Sequence, residues 1–341
     1  MNPSQKEFYR QFSQHGTGDA KVIISAKEVA LLFFIAHYDL YQKYPQGYAE
    51  IEKLASKGLY KISFPEIASL IDITEDVVFD LLDCFGATNV SSVLYLYLKN
   101  LCELYRRRFK YEHILRTQPF PNAEQIAPRS LLEYGKCEDS LLATWLEWRK
   151  WVFDIDNRCG QETGYVFEPI LASCLGGTPV SHSNSPVKRI NDMGELTNEG
   201  RQVDCFIEDS KEVYELKMRV TIAASGQGRF KEELSFPHEA KESGLTPILV
   251  VFDGTESDLL EKLKTQFEKN GGKCFVGQDA WNMLFEKAGK EMGMFISKYI
   301  YPPMHAMERF IDGSPVSIHI DKTECSIVIS DGRSKYLINR E

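Results

Sequence analysis

Val203-Asp204-Cys205-Phe206-Ile207-Glu208-Asp209-Ser210-Lys211-Glu212-Val213-Tyr214-Glu215-Leu216-Lys217-Met218 reads as two short strands about a tight bend. Apolar residues alternate at Val203, Cys205 and Ile207, and again at Tyr214, Leu216, Met218 and Val220, which is the period of a half-buried strand. Asp209-Ser210 fits a two-residue turn. Counting inward from that turn sets Glu208 opposite Lys211 and Asp204 opposite Glu215. Residues so paired have Cβ atoms about 4.5–5.5 Å apart. Two carboxylates that close repel at neutral pH unless a cation or a shared proton lies between them. Lys217 follows two residues later on the same face, and Arg219 two after that. One side of the hairpin thus carries acid, acid, ammonium and guanidinium, and the other an apolar row. A hard divalent ion such as Mg²⁺ suits the acids, because it prefers oxygen ligands and keeps some of its waters.

Spacing alone is a weak signal. An acid two residues before a lysine occurs four times, at Asp19/Lys21, Asp209/Lys211, Glu215/Lys217 and Glu239/Lys241. Only Glu215/Lys217 lies in an alternating strand with a second acid in register. The competing reading is a solvated hairpin face with a surface ion pair, which contributes about 1 kcal/mol or less.

The hairpin resembles the active-site signature of the PD-(D/E)XK nuclease superfamily, with Asp204 as the first acid and Glu215-Leu216-Lys217 as the E-x-K. Val203 stands where that signature often has proline. The wider run from Glu215 to Phe230, with Ser235-Phe236-Pro237 and Leu249-Val250-Val251-Phe252-Asp253, resembles the ApaLI-like restriction endonucleases. The superfamily likeness spans residues 160–280, and the first third of the chain carries no motif of it. The resemblance implies Mg²⁺ held by Asp204, Glu215 and the Leu216 backbone carbonyl, with Lys217 orienting a water. It also implies an acid from a helix just before the hairpin. Glu168, in the stretch 164–177, matches that place, although an acid near a helix N-terminus is also ordinary. The family further implies a homodimer cutting a palindromic site in double-stranded DNA, one subunit per half-site. A repair or junction-resolving nuclease of the same fold is the rival among enzymes. A DNA-binding regulator without catalysis is the rival from another class.

The 341 residues, 43% of them hydrophobic, supply ample core for one large domain or two smaller ones. The longest apolar candidate, residues 29–36, is too short to span a bilayer, and residues 1–7 lack the pattern of a signal peptide. Eight scattered cysteines, none in a C-x-x-C pair, predict free thiols in a reducing cytoplasm and disfavour zinc. A net charge of −9 argues against a protein that coats nucleic acid non-specifically, but leaves room for a local basic groove.

Along the chain, residues 1–20 are polar and expected to be poorly ordered. Ser25 and Glu28 form a capping pattern that opens a helix. Residues 62–84 read as two short helices about a turn. A helix-turn-helix is one reading; Glu75, Asp76, Asp80 and Asp83 favour a packed pair instead, since they would repel phosphate. A long helix from 93 to 113 ends in Arg106, Arg107, Arg108 and Lys110, which either complement the helix dipole or form a phosphate-binding arm. A proline-rich linker over 117–128 precedes a helix over 140–156, with Leu141, Leu142, Trp145, Trp148 and Val152 facing inward. A polar loop over 179–200 offers Lys188 and Arg189 for DNA contact. After the hairpin, Gln227 and Arg229 are side chains able to read base edges. From residue 164 the order is helix, two-strand hairpin, helix, strand, helix, strand. This predicts an α/β (α+β) restriction-endonuclease-like core, a mixed central sheet flanked by helices, with a helical N-terminal region. Three parts are expected: residues 1–120 mainly helical, 121–300 the nuclease core, and 301–341 a small antiparallel extension.

Overall fold

The computed structural model describes residues 1–15, 21–191, 193–218, 227–310, 315–321 and 323–341, without the side chains at 15, 227–229 and 308–310. The chain opens with helix α1 (Pro3–Ser13), started by an Asn2 cap and burying Tyr9 and Phe12. The expectation of poor order therefore fails for residues 3–13, where two aromatic anchors tie down a polar-looking segment. A two-strand bridge, β1 (Gln14–His15) and β2 (Val22–Ile23), leads to α2 (Ala26–Tyr41), which begins at the Ser25/Glu28 capping box. Helix α2 is apolar almost all round, so it has to be enclosed. Helices α3 (Ala49–Ala55), α4 (Phe64–Ala68), α5 (Glu75–Cys84) and α6 (Val93–Thr117), with α1, pack about it. Helix α5 turns Val78, Phe79 and Leu82 into this bundle, and the N-terminal ammonium pairs with its Asp76.

Next come the short α7 (Ala123–Ile126) and α8 (Asp139–Cys174), a single helix of 36 residues. The sequence predicts two helices here, yet α8 runs unbroken through Gly160, Gly164 and Pro169. Proline removes one backbone hydrogen bond from the ladder, but Val166, Ile170, Leu171 and Cys174 around it are buried. Packing of that face outweighs local propensity. The tryptophan expectation is also revised. The buried side of α8 carries Leu142, Leu146 and Trp151, whereas Leu141 is 59% and Trp145 43% exposed. The chain before α8 is the reason, since Pro121, Ala123 and Ile126 line a cavity with Leu142 and Leu146. The supposed linker packs too: Phe120 stacks on Trp151, whose indole N–H donates to the Gln118 carbonyl at 3.1 Å.

Strand β3 (Thr178–Val180) follows, then a small hairpin of β4 (Lys188–Ile190) and β5 (Leu196–Gly200), so the stretch expected to be loop is partly strand. Beyond it lie β6 (Val203–Ile207), β7 (Glu212–Lys217), α9 (Gln227–Glu242), β8 (Thr246–Val251), α10 (Asp258–Lys269), β9 (Lys273–Val276) and α11 (Gln278–Phe295). Helix α12 (Tyr301–Phe310) and the antiparallel meander β10 (Ser317–Asp321), β11 (Ser326–Ser330) and β12 (Lys335–Asn339) end the chain.

The central sheet has the order β3-β6-β7-β8-β9, antiparallel from β3 to β7 and parallel from β7 to β9. It is the mixed sheet that the element order predicts. Alternation divides its residues between two cores. Cys205, Tyr214, Leu216, Ile248 and Val250 join a cluster that extends through α11, α8 and α6 to Tyr9 of α1. Val213, Leu249 and Val251 join a second cluster with Phe236 and Ala240 of α9 and Leu260, Leu263 and Phe267 of α10. A third cluster, with Leu115, Trp151, Ile327 and Ile338, seats the C-terminal meander on α6 and α8.

The basic end of α6 is engaged within the protein. Arg106 and Arg107 are buried against Glu103, and Arg107 and Lys110 both pair with Glu162 of α8. Arg108 lies over the Tyr60 ring.

Packing is close where α8 turns into the sheet. A methyl group on Gly177 would stand 2.5 Å from Cys205 Sγ, 2.7 Å from the Phe206 carbonyl and 2.9 Å from Ile207 Cγ1. Gly177→Ala is therefore expected to destabilise the protein by about 1–3 kcal/mol. Urea denaturation checks this, and an unchanged midpoint would contradict the packing described.

Candidate active site

The bend between β6 and β7 is a four-residue loop, with the Lys211 N–H donating to the Glu208 carbonyl at 3.2 Å and Lys211 at φ +53°. It is one residue wider on each side than the expected two-residue turn. Symmetric widening leaves the register untouched. Ile207 pairs with Glu212, Phe206 with Val213 and Cys205 with Tyr214, and one further step sets Asp204 opposite Glu215. The Leu216 N–H donates to Asp204 Oδ2 at 2.9 Å, which locks the first acid to the second strand. The Lys217 carbonyl accepts from Phe252 on the β8 side. Backbone groups alternate along a strand, so the carbonyl of Leu216, like its N–H, faces β6 and Asp204.

Asp204, Glu215 and Lys217 share the sheet face covered by α9, and all three are half-buried. Lys217 Nζ donates to Glu215 Oε1 at 2.9 Å and to Glu233 Oε1 of α9 at 3.1 Å. Burial alone would lower the lysine, but Glu215 and Glu233 outweigh it and hold the ammonium above the ordinary lysine value. Asp204 moves the other way from a normal acid. Burial first, then the negative charges of Glu215 and Glu168, push its carboxyl well above the usual range. The Leu216 N–H and Lys217 oppose that rise without cancelling it. The charge of Glu168, on α8, thus reaches the same spot.

The donor set is chemically suited to a hard cation. Its atoms are carboxylate and carbonyl oxygens, and negative charge is in excess at Asp204. Among the described residues no three or more His, Cys, Asp or Glu side chains stand close enough to form a cage. An ion that retains several waters needs only one or two carboxylates, so Asp204 and Glu215 fit that requirement.

The expected DNA-contact residues divide. Lys188 begins β4, and its backbone N–H donates to Ser243 Oγ at 2.9 Å. Arg189 Nε lies 3.3 Å from Glu199 across the small hairpin, so its charge is partly matched within the protein. Arg219 lies outside the described residues. Gln227 and Arg229 open α9, and their side chains are outside the described set.

Sequence reasoning missed Glu233 and Arg201. Glu233, Phe236 and Ala240 fall at i, i+3 and i+7, which places an acid in the apolar stripe of α9. That was a usable signal. Arg201 gave none: it is buried between strand and helix, donating to Glu239 at 2.7 Å and Ser235 at 3.1 Å, and to the Glu232 carbonyl.

A mixed sheet flanked by helices, ending in two acids and a lysine across one bend, defines the class: a nuclease of the restriction-endonuclease type. A family model described as ApaLI-like restriction endonuclease matches residues 72–301, and the chain belongs to that family. The type II restriction enzyme ApaLI of Acetobacter pasteurianus is 45% identical over 261 residues, which cover 74% of this chain and 67% of that protein. No solved structure matches.

The electrostatics yield a stability prediction. A carboxyl whose folded-state value is raised contributes stability below its unfolded value, and that contribution is lost as pH rises through the folded value. Asp204 therefore weakens the metal-free protein increasingly above about pH 4. Asp204→Asn, which keeps an acceptor for Leu216, should raise the melting temperature in chelator at pH 7 by on the order of 2 °C. The gain should vanish near pH 4. A melting temperature at pH 7 no higher than wild type would contradict the strain assigned to Asp204.

Proposed function

We propose that this type II restriction endonuclease hydrolyses DNA phosphodiesters in a Mg²⁺-dependent reaction at a palindromic double-stranded site, acting as a homodimer. Membership of the ApaLI-like family makes it an endodeoxyribonuclease that cleaves DNA at specific sites. The observation that carries the finer reading is Asp204 set opposite Glu215 with Lys217 alongside, at the end of a sheet packed on both faces. In the PD-(D/E)XK reading, Asp204, Glu215 and the Leu216 carbonyl hold Mg²⁺. When bound, the ion supplies Lewis-acid polarisation of the phosphate and lowers the pKa of a water. Lys217 keeps its proton, orients the attacking water and stabilises the developing negative charge. Glu168 is assigned to hold a second ion or a water of the first. Arg219, Gln227, Arg229, Lys188 and Arg189 are the candidates for contact with DNA.

Two-fold symmetry of a dimer matches the symmetry of a palindrome, with one subunit serving each half-site. Pairing with a methyltransferase of the same specificity in a restriction–modification system, and a reducing cytoplasm, complete this reading. The eight cysteines form no disulfide, and no helix among the described residues is long and apolar enough to cross a membrane.

Incubating the purified protein with phage DNA and Mg²⁺, then sequencing the ends, is expected to give one recurrent palindromic sequence at every cut. Lys217→Ala should slow cleavage at least about 100-fold. Its DNA affinity, measured by gel shift in Ca²⁺, should change little. Near-normal Mg²⁺-dependent cleavage by that variant would remove Lys217 from the mechanism.

A further inference from the structure

Glu233 stands in the site without a place in the mechanism above. It is 9% exposed on α9, three residues before the fully buried Phe236. A buried carboxylate is costly unless its oxygens are matched. One oxygen, Oε1, accepts from Lys217 at 3.1 Å. The other, Oε2, is buried with no hydrogen-bond partner among the described residues. An oxygen left so bears its full desolvation penalty.

The carboxylate is also held in place. Arg201, two residues before β6 begins, donates to Glu239, Ser235 and the Glu232 carbonyl of α9, and its guanidinium lies over the Phe236 ring at 5.2 Å. The brace fixes α9 to the strand that carries Asp204, and so fixes Glu233 relative to both acids.

Lys217 is therefore shared between two carboxylates, one on its own strand and one from the helix above. The two are not equivalent. Glu215 is assigned to the metal, and a carboxylate that gives its charge to a divalent ion binds an ammonium less strongly. Glu233 has no such competing duty. We propose that Glu233 is a positioning residue for cleavage: it keeps the Lys217 ammonium aimed at the reacting phosphate once the ion draws on Glu215. The inference rests on the reading of Asp204, Glu215 and Lys217 as the catalytic set.

The test compares Glu233→Gln, Glu233→Asp and Lys217→Ala in the full-length protein. Gln preserves shape and an acceptor but removes the charge; Asp keeps the charge and shortens the reach. Single-turnover cleavage with Mg²⁺ is expected to fall about 30-fold or more in Glu233→Gln. DNA affinity in Ca²⁺ should stay within about two-fold, and Glu233→Asp should recover part of the rate. A second readout needs no cleavage. Reductive methylation of Lys217, followed by peptide mass spectrometry, should be several-fold faster in Glu233→Gln than in wild type. Mg²⁺ alone should widen that gap by loosening Glu215. Wild-type cleavage or unchanged labelling in Glu233→Gln overturns the proposal, as does a parallel loss of cleavage and DNA affinity with Lys217 labelling unaltered. If Glu233→Gln fails to fold, Glu233→Asp carries the comparison, and full wild-type cleavage with faster Lys217 labelling overturns the role. Normal cleavage by Lys217→Ala defeats the underlying site reading instead, so the two failures are distinguishable.

Discussion

Two like charges facing each other across β6 and β7 are the constraint around which the protein is arranged. At a cross-strand spacing of ~5 Å and an effective dielectric of ~20, such a pair repels by about 3 kcal/mol. Native stability as a whole is only about 5–15 kcal/mol. A fold can tolerate that repulsion if the strands beneath it are held independently. Here they are, because β7 is bonded to an antiparallel neighbour on one side and a parallel one on the other. The sheet is also packed on both faces by separate apolar clusters.

The helices around the sheet follow from the same need. Helix α8 brings Glu168 to the site only because it continues past Pro169, and it continues because its buried face is worth more than one lost hydrogen bond. Helix α9 supplies Glu233 to Lys217 and is tied back to β6 through Arg201. Each acid therefore comes from a different element, and each element is anchored by apolar packing rather than by the charges it presents. The backbone of such a site is set by packing, and its charged side chains are then placed by one another.

Charge at the end of α6 is neutralised internally. The basic run at the end of α6 invites a reading as a phosphate-binding arm, but Glu103 and Glu162 absorb Arg106, Arg107 and Lys110. Spacing along one helix cannot reveal partners on α8, fifty residues away in sequence. The same limit explains the tryptophans of α8, where apolar residues occupy more than one face. Only the segment packed before the helix selects which of them is buried.

The alternation in 203–218 and the symmetric count about Asp209-Ser210 determined by themselves that two acids and a lysine would share one face. Strand period is strictly two, so a register read from the bend propagates without error, even when the loop proves two residues wider. The order of helices and strands after residue 164 determined the mixed sheet in the same local way. Tertiary structure alone decided that α8 is continuous, that the N-terminal helices share a core with the sheet, that Glu233 reaches Lys217 and that Arg201 braces α9. These depend on contacts between residues far apart in the chain, and no local period encodes such contacts.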